Sequence, residues 1–270
     1  MAKIIAITNN KGGVGKTHTT FHLAGALSDA GERVLVLDLD PQANLTGLLL
    51  DEPPRHGTFD VLAEQVPLRG VTRQTALAGL DIVPADEMLE DLGTQLHNAP
   101  DAQIRLDTAI RERQSEDNPY TVILVDCAPN LGIATRNALA AADSVVIPLE
   151  ADKFSVEGLK RLLDAIEKMR LVNRRLAVEG VLVSLYNGRR AIEQAFAEAL
   201  GQYPGLAVLP VRIKASSRYR EAITAREPIT HYKPKGEHSE AFRELARIVI
   251  PTEREPLSVR TDIHAYAEER

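Results

Sequence analysis

A chain of 270 residues with 44% hydrophobic and 26% charged residues has an ordinary globular composition. It is long enough to bury roughly three quarters of its unfolded surface. A single cysteine, Cys127, excludes a disulfide framework and a cysteine-ligated zinc or iron–sulfur centre within one chain, and with the latter an electron carrier. The net charge of −6, taken as an average, argues against nucleic acid. The first strand has no basic-then-apolar leader before it and no apolar run reaches the ~18 residues of a membrane span, so a reducing, cytoplasmic setting without membrane contact is expected.

The chain opens on Lys3-Ile-Ile-Ala-Ile-Thr-Asn9, a continuous apolar run of the kind buried on both faces in a parallel sheet. A glycine-rich turn follows. Gly12, Gly13 and Gly15 free the backbone for left-handed conformations, so that successive N–H groups can point into one concavity suited to phosphate. Lys16 adds a mobile positive charge for the β- and γ-phosphates and Thr17 a hydroxyl for Mg²⁺. The helix expected from Thr17 to Asp29, closed by Gly31, adds its positive dipole end. This is the chemistry of a nucleoside triphosphate site. The general pattern G-x-x-x-x-G-K-[ST] fails at its first glycine, where Asn10 stands. The loop carries a second lysine instead, in Lys11-Gly12-Gly13-Val14-Gly15-Lys16-Thr17. His18 and His22 share a helix face at i, i+4 but lack the glutamate of H-E-x-x-H, which makes them a packed pair rather than a metal site.

Arg33 to Asp40 is a second buried-strand run ending in two carboxylates, Asp38 and Asp40, followed by Pro41-Gln42-Ala43-Asn44. In an open parallel sheet such residues gather at the edge where ligands bind. Residues 51–118 carry fourteen acidic residues against six basic ones, a solvated negative face that could also receive a basic peptide. A loop over 51–57, a short helix over Thr58–Glu64, a strand over Leu80–Pro84 and one long helix from Glu87 to Arg113 are expected there. Tyr120-Thr-Val-Ile-Leu-Val-Asp126 is a third strand, with the terminal acid of a Walker B strand that holds Mg²⁺ directly or through water. Beside it, Cys127 reads as a packed core thiol.

The second half continues the alternation: a strand over Ser144–Leu149, a helix from Ser155 to Asn173, a strand over Val178–Tyr186, a helix from Ala191 to Leu200, a strand over Leu206–Ile213 and two closing helices. Alternation over the whole length predicts an α/β fold, a single doubly wound, mostly parallel sheet with helices on both faces, of the P-loop type. One domain over residues 1–250 and a polar tail over 251–270 are expected.

The loop resembles the deviant Walker A motif, K-G-G-x-G-K-[ST], of the ParA and MinD family of ATPases. Leu37-Asp38-Leu39-Asp40-Pro41-Gln42-Ala43-Asn44 is similar to that family's D-x-D-P-Q-x-N, and Asp126-Cys127-Ala128-Pro129 to its D-C-x-P. The segment from Ala142-Asp-Ser-Val-Val-Ile-Pro148 through Glu157-Gly158-Leu159 is similar as well. The resemblance spans roughly residues 2–250 and implies ATP and Mg²⁺ as cofactors. It further implies a nucleotide set of Lys11, Gly12, Gly13, Val14, Gly15, Lys16, Thr17 and His18, with Thr17 and Asp126 toward the metal. Lys11, Lys16 and Asp40 become the catalytic residues: Lys11 reaching the phosphates of a partner subunit, Asp40 orienting the attacking water.

Charge is uneven along the chain. Between Gly205 and Gly236 seven lysines and arginines stand against Glu221 and Glu227 alone, and Arg189 and Arg190 add a pair upstream. In partition ATPases of this family, arginines at matching places bind DNA without sequence preference. The resemblance therefore points to Arg218 first, then Arg220, Arg189 and Arg190. It implies an ATP-dependent homodimer on non-specific double-stranded DNA, associated with the nucleoid and stimulated by a ParB-like or adaptor protein. A MinD-like membrane ATPase and a metabolic ATP-dependent enzyme are the alternatives. The first needs an amphipathic C-terminal helix, and Ser258 to Arg270 has no sustained apolar stripe.

Overall fold

A computed structural model describes residues 1–52, 54–115, 119–150, 155–186, 200, 203 and 205–251. Eight strands among them form one sheet: β1 (Lys3–Ile7), β2 (Val34–Leu39), β3 (Arg73–Gln74), β4 (Leu80–Val83), β5 (Val122–Cys127), β6 (Ser144–Glu150), β7 (Ala177–Tyr186) and β8 (Val208–Lys214). Their order is β3-β4-β2-β5-β1-β6-β7-β8. Every neighbouring pair is parallel except β3 against β4. The sheet grows from β1 in both directions, so the crevice at the carboxyl end of β1 is the switch point where such sheets bind ligands.

The helices are α1 (Lys16–Asp29), α2 (Asn44–Leu49), α3 (Thr58–Glu64), α4 (Leu68–Val71), α5 (Leu92–Gln95), α6 (Arg105–Ser115), α7 (Ile133–Ala141), α8 (Ser155–Arg170), α9 (Ser217–Thr224), α10 (Ile229–Tyr232) and α11 (Glu237–Val249). Strand periodicity divides the interior in two. Ile4, Ala6, Leu35, Leu37, Ile123 and Val125 pack under α3 to α8, while Ile5, Ile7, Val34, Val36, Val122 and Leu124 pack under α1, α2 and α9 to α11. Continuous apolar strands are thus consumed on both faces, the doubly wound arrangement expected from the alternation.

Two expectations need correction. No single helix runs from Glu87 to Arg113. A 3₁₀ turn over Glu87–Asp91 leads into α5, turns follow, and α6 starts only at Arg105. Pro100 explains the break, since it lacks an N–H and disfavours helical backbone at Ala99. Among the described residues the C-terminal end holds three helices rather than two, because Pro228 starts the single-turn α10 between α9 and α11. The helix expected over 191–200, apart from Leu200, and the tail expected over 251–270, apart from Pro251, lie outside the described residues.

Candidate active site

The loop between β1 and α1 is held from the sheet beneath it. Positive φ occurs at Gly13 and Gly15, 77° and 86°, but not at Gly12, so the left-handed backbone expected at three glycines is confined to two. Val14 is fully buried, and the Ser184 hydroxyl at the end of β7 donates to its carbonyl at 2.7 Å. Asn9 Oδ1 accepts the Lys11 N–H at 3.1 Å, and its amide donates to Pro148 of β6 at 2.8 Å. The Lys16 ammonium lies back over the loop and donates to the Lys11 carbonyl at 3.0 Å. Burial holds the Lys16 pKa below its usual value against the attraction of Asp126, Cys127 and Asp40. A buried cation lying over a glycine-rich loop at a helix N-terminus is equipped to take an anion.

Opposite the lysine stand two carboxylates. Asp38 and Asp126 are register partners on adjacent β2 and β5, and Ile7 of β1 is the partner of Asp126 on its other side. Both acids are fully buried. Asp126 Oδ1 accepts the Thr20 hydroxyl at 3.0 Å, whereas Asp126 Oδ2 is buried without a hydrogen-bond partner among the described residues. Burial pushes both carboxyls above the usual range, with the repulsion of Asp38 adding to Asp126. An orphaned oxygen on a buried acid, with the Thr17 hydroxyl bonded to the same carboxylate, suits a hard divalent cation. Cys127 is buried and its thiol is pushed up to about 12, again by burial, the packed thiol that was expected.

Asp40 ends the same strand edge, 8% exposed. Its Oδ1 accepts the Gln42 N–H at 3.0 Å, a local turn bond. Ala43, at φ 50°, is the residue before α2. Pro41 therefore does not open that helix, and the Asp40 carboxylate does not cap it.

His18 and His22 meet edge to face, 4.5 Å between ring centroids, inside a nest that includes Tyr219 and Phe242. His22 Nδ1 accepts the Ile229 N–H at 3.0 Å, which leaves the proton on Nε2 and removes that nitrogen as a metal ligand. The pair is packed, as its spacing implied, and it joins α1 to α9. Burial lowers His18 to about 4 and His22 well below its usual value. Both imidazoles stay neutral in the fold while the unfolded chain takes up protons below about 6.5. Their contribution to stability is therefore present above 6.5 and lost as pH falls towards 4. The buried carboxylate pair works in the opposite direction over this range, so the signature is a difference between proteins. Relative to wild type, His18→Asn should gain on the order of 1 kcal/mol for each pH unit below about 6.5. Urea unfolding at pH 7.5 and 5.0 measures this, and a pH-independent difference would contradict it.

The basic C-terminal segment is less free than its composition suggests. Arg218 pairs with Glu221 at 2.8 Å and Lys214 with Glu237 at 2.6 Å. Arg212 stacks over Tyr186, 5.7 Å from the ring centroid. Arg226 turns inward, pairing with Asp51 and donating to the Leu48 carbonyl at 3.1 Å at the end of α2. Arg218 and Arg220 are exposed on α9, while Arg189 and Arg190 lie outside the described residues. Asn9, Ser184 and Thr46 carry no signal in the sequence: they are ordinary polar residues until the fold brings them under the loops. Asp38 was legible, as the first acid of its motif.

A family described as an AAA domain matches residues 2–178. The chain is 38% identical to the chromosome partitioning protein ParA of Caulobacter vibrioides over 256 residues, 94% of this chain and 96% of that protein. Among solved structures, it is similar to a cobyrinic acid a,c-diamide synthase from Mycobacterium smegmatis with bound ADP and magnesium. That likeness has a TM-score of 0.78 and 28% identity, covering 91% of this chain and 93% of that one. The septum site-determining protein MinD of Pyrococcus horikoshii, complexed with Mg-ADP, superposes at a TM-score of 0.74 with 25% identity over 93% of this chain and 97% of that one. With a glycine loop at the switch point, two lysines in it and an orphaned carboxylate oxygen below, this chain belongs to the ParA/MinD family of P-loop ATPases.

Proposed function

We propose that the protein is a partition ATPase. ATP with Mg²⁺ closes two copies into a homodimer, the dimer holds double-stranded DNA without reading its sequence, and hydrolysis stimulated by a ParB-like or adaptor protein releases it. The observation that carries this reading is the doubled lysine, Lys11 and Lys16, in one glycine-rich loop at the switch point of the sheet.

Lys16 and the N–H groups of the Gly12 to Thr17 loop bind the phosphates, with Val14 and His18 packed around them. Thr17 and Asp126 would hold Mg²⁺, which neutralises phosphate charge as it develops. Asp40 orients water in line with the γ-phosphate. Lys11 is the second lysine of the loop, and its role in this reading is to reach the phosphates bound by the other copy. Two facing triphosphates repel, and a lysine supplied by each copy makes closure depend on ATP. The cargo would be a chromosome, a plasmid or another DNA-tethered body, and the protein would sit on the nucleoid. The 38% identity to a chromosome partitioning protein over nearly the whole length supports this reading.

The physical ties between the nucleotide site and α9 support a DNA switch. His18, next to Thr17, packs on Tyr219 with ring centroids 4.6 Å apart, and Arg226 clamps the end of α2. The likeness to the synthase keeps a metabolic enzyme as the second reading; it would leave DNA binding indifferent to ATP. Lys11→Ala should bind ATP but remain monomeric, its ATP-dependent dimerisation weakened about 100-fold or more, a loss of about 2.7 kcal/mol. Light scattering after gel filtration decides this, and a normal ATP dimer removes Lys11 from the interface.

A further inference from the structure

We infer that Thr46 is a positioning residue for ATP hydrolysis, holding the Asp40 loop through the buried carboxylate of Asp38. The inference rests on the reading that Asp40 orients the attacking water. Asp38 accepts three hydrogen bonds: the Asp40 N–H at 3.1 Å on Oδ1, and on Oδ2 the Thr46 N–H at 2.9 Å and the Thr46 hydroxyl at 2.8 Å. One carboxylate thereby grips both ends of the segment that leaves β2 and enters α2. Thr46 Oγ1 in turn accepts the Ala85 N–H at 2.9 Å, just beyond β4. A single hydroxyl therefore ties α2 to two neighbouring strands of the sheet.

The segment so held includes Ala43 at φ 50°, a conformation that a residue with a Cβ keeps only when its surroundings impose it. Thr46 is 4% exposed, so neither of its bonds is exchanged for water. Valine in its place has the same shape but no hydroxyl. It strips one donor from Asp38 and leaves the buried Ala85 N–H without its acceptor. The loop then loses one of its two points of attachment at the α2 end, and Asp40 is free to drift. In that reading the phosphate and metal contacts come from other residues, Lys16, Thr17 and Asp126. Misplacement of Asp40 by a fraction of an ångström therefore affects in-line attack and not ATP binding.

The test is steady-state hydrolysis and ATP affinity on the full-length chain for wild type, Thr46→Val, Thr46→Ser and Asp40→Ala. Thr46→Val should lower kcat about tenfold, with KM and ATP affinity within about twofold of wild type. Thr46→Ser keeps the hydroxyl and should match wild type within about twofold on both parameters. A wild-type kcat in Thr46→Val overturns the inference. So does a rise in KM that accounts for the loss, or a serine variant as slow as the valine one, since either makes Thr46 merely structural. If Thr46→Val does not fold, Thr46→Ala, which creates space rather than strain, is read by the same criteria. An Asp40→Ala variant that turns over normally defeats the Asp40 reading itself, whereas an inactive Asp40→Ala beside a fully active Thr46→Val defeats only the link through Thr46.

Discussion

Asp40→Ala is expected to lower ATP turnover by on the order of 10²-fold or more while ATP binding survives and the ATP-bound dimer accumulates. The separation follows from where the side chains stand. Lys16 stands at the start of α1, and Asp126 Oδ2 is buried without a hydrogen-bond partner among the described residues. Asp40 reaches the site from a different loop, and among the described residues its Oδ1 accepts the nearby Gln42 N–H. Removing its carboxylate leaves the phosphate and metal contacts intact and deletes the acceptor that would align water. Single-turnover hydrolysis with gel filtration in ATP measures both halves. A variant that hydrolyses ATP normally, or that cannot bind it, contradicts the assignment.

Charge reversal on α9 should produce the other large effect. Arg218→Glu combined with Arg220→Glu is expected to abolish ATP-dependent binding to duplex DNA of any sequence, with dimerisation and hydrolysis preserved. The two positions are not equivalent. Arg218 spends part of its charge on Glu221, which also accepts from Ser217 and Tyr232, so DNA must compete for it. Arg220 is exposed and forms no ion pair among the described residues. Arg220→Ala alone should therefore flatten the log–log salt dependence by about two units in a dimer, one contact per subunit. A salt slope unchanged in the double variant removes α9 from the interface, and sequence preference in the wild type undermines a contact made to phosphates alone.

Much of the fold was legible because its signals are local. Apolar runs such as Ile4 to Ile7 and Val122 to Val125 report burial on both faces whatever lies beside them, and turn residues separate them from periodic helices. The failures were also local conflicts. Helical composition runs from Glu87 to Arg113, but at Pro100 a missing N–H and a ring clash interrupt a helix however favourable its flanks.

The phosphate loop and the acids at strand ends could be placed from the sequence because spacing and strand direction alone put them at one edge of a parallel sheet. What the sequence by itself determined is therefore the family, the ATPase chemistry that goes with it, and which loop and acidic residues gather along one edge of the sheet. Only the tertiary structure decided how those residues are held. That Asp38 and Asp126 are register partners, that Thr46 links Asp38 to Ala85, that Ser184 braces Val14 from 170 positions away and that Arg226 turns inward while Arg220 does not are all facts of strand order and packing. Hydrogen bonds between distant segments leave no periodicity in a single chain, so they become visible only when the sheet brings the segments together.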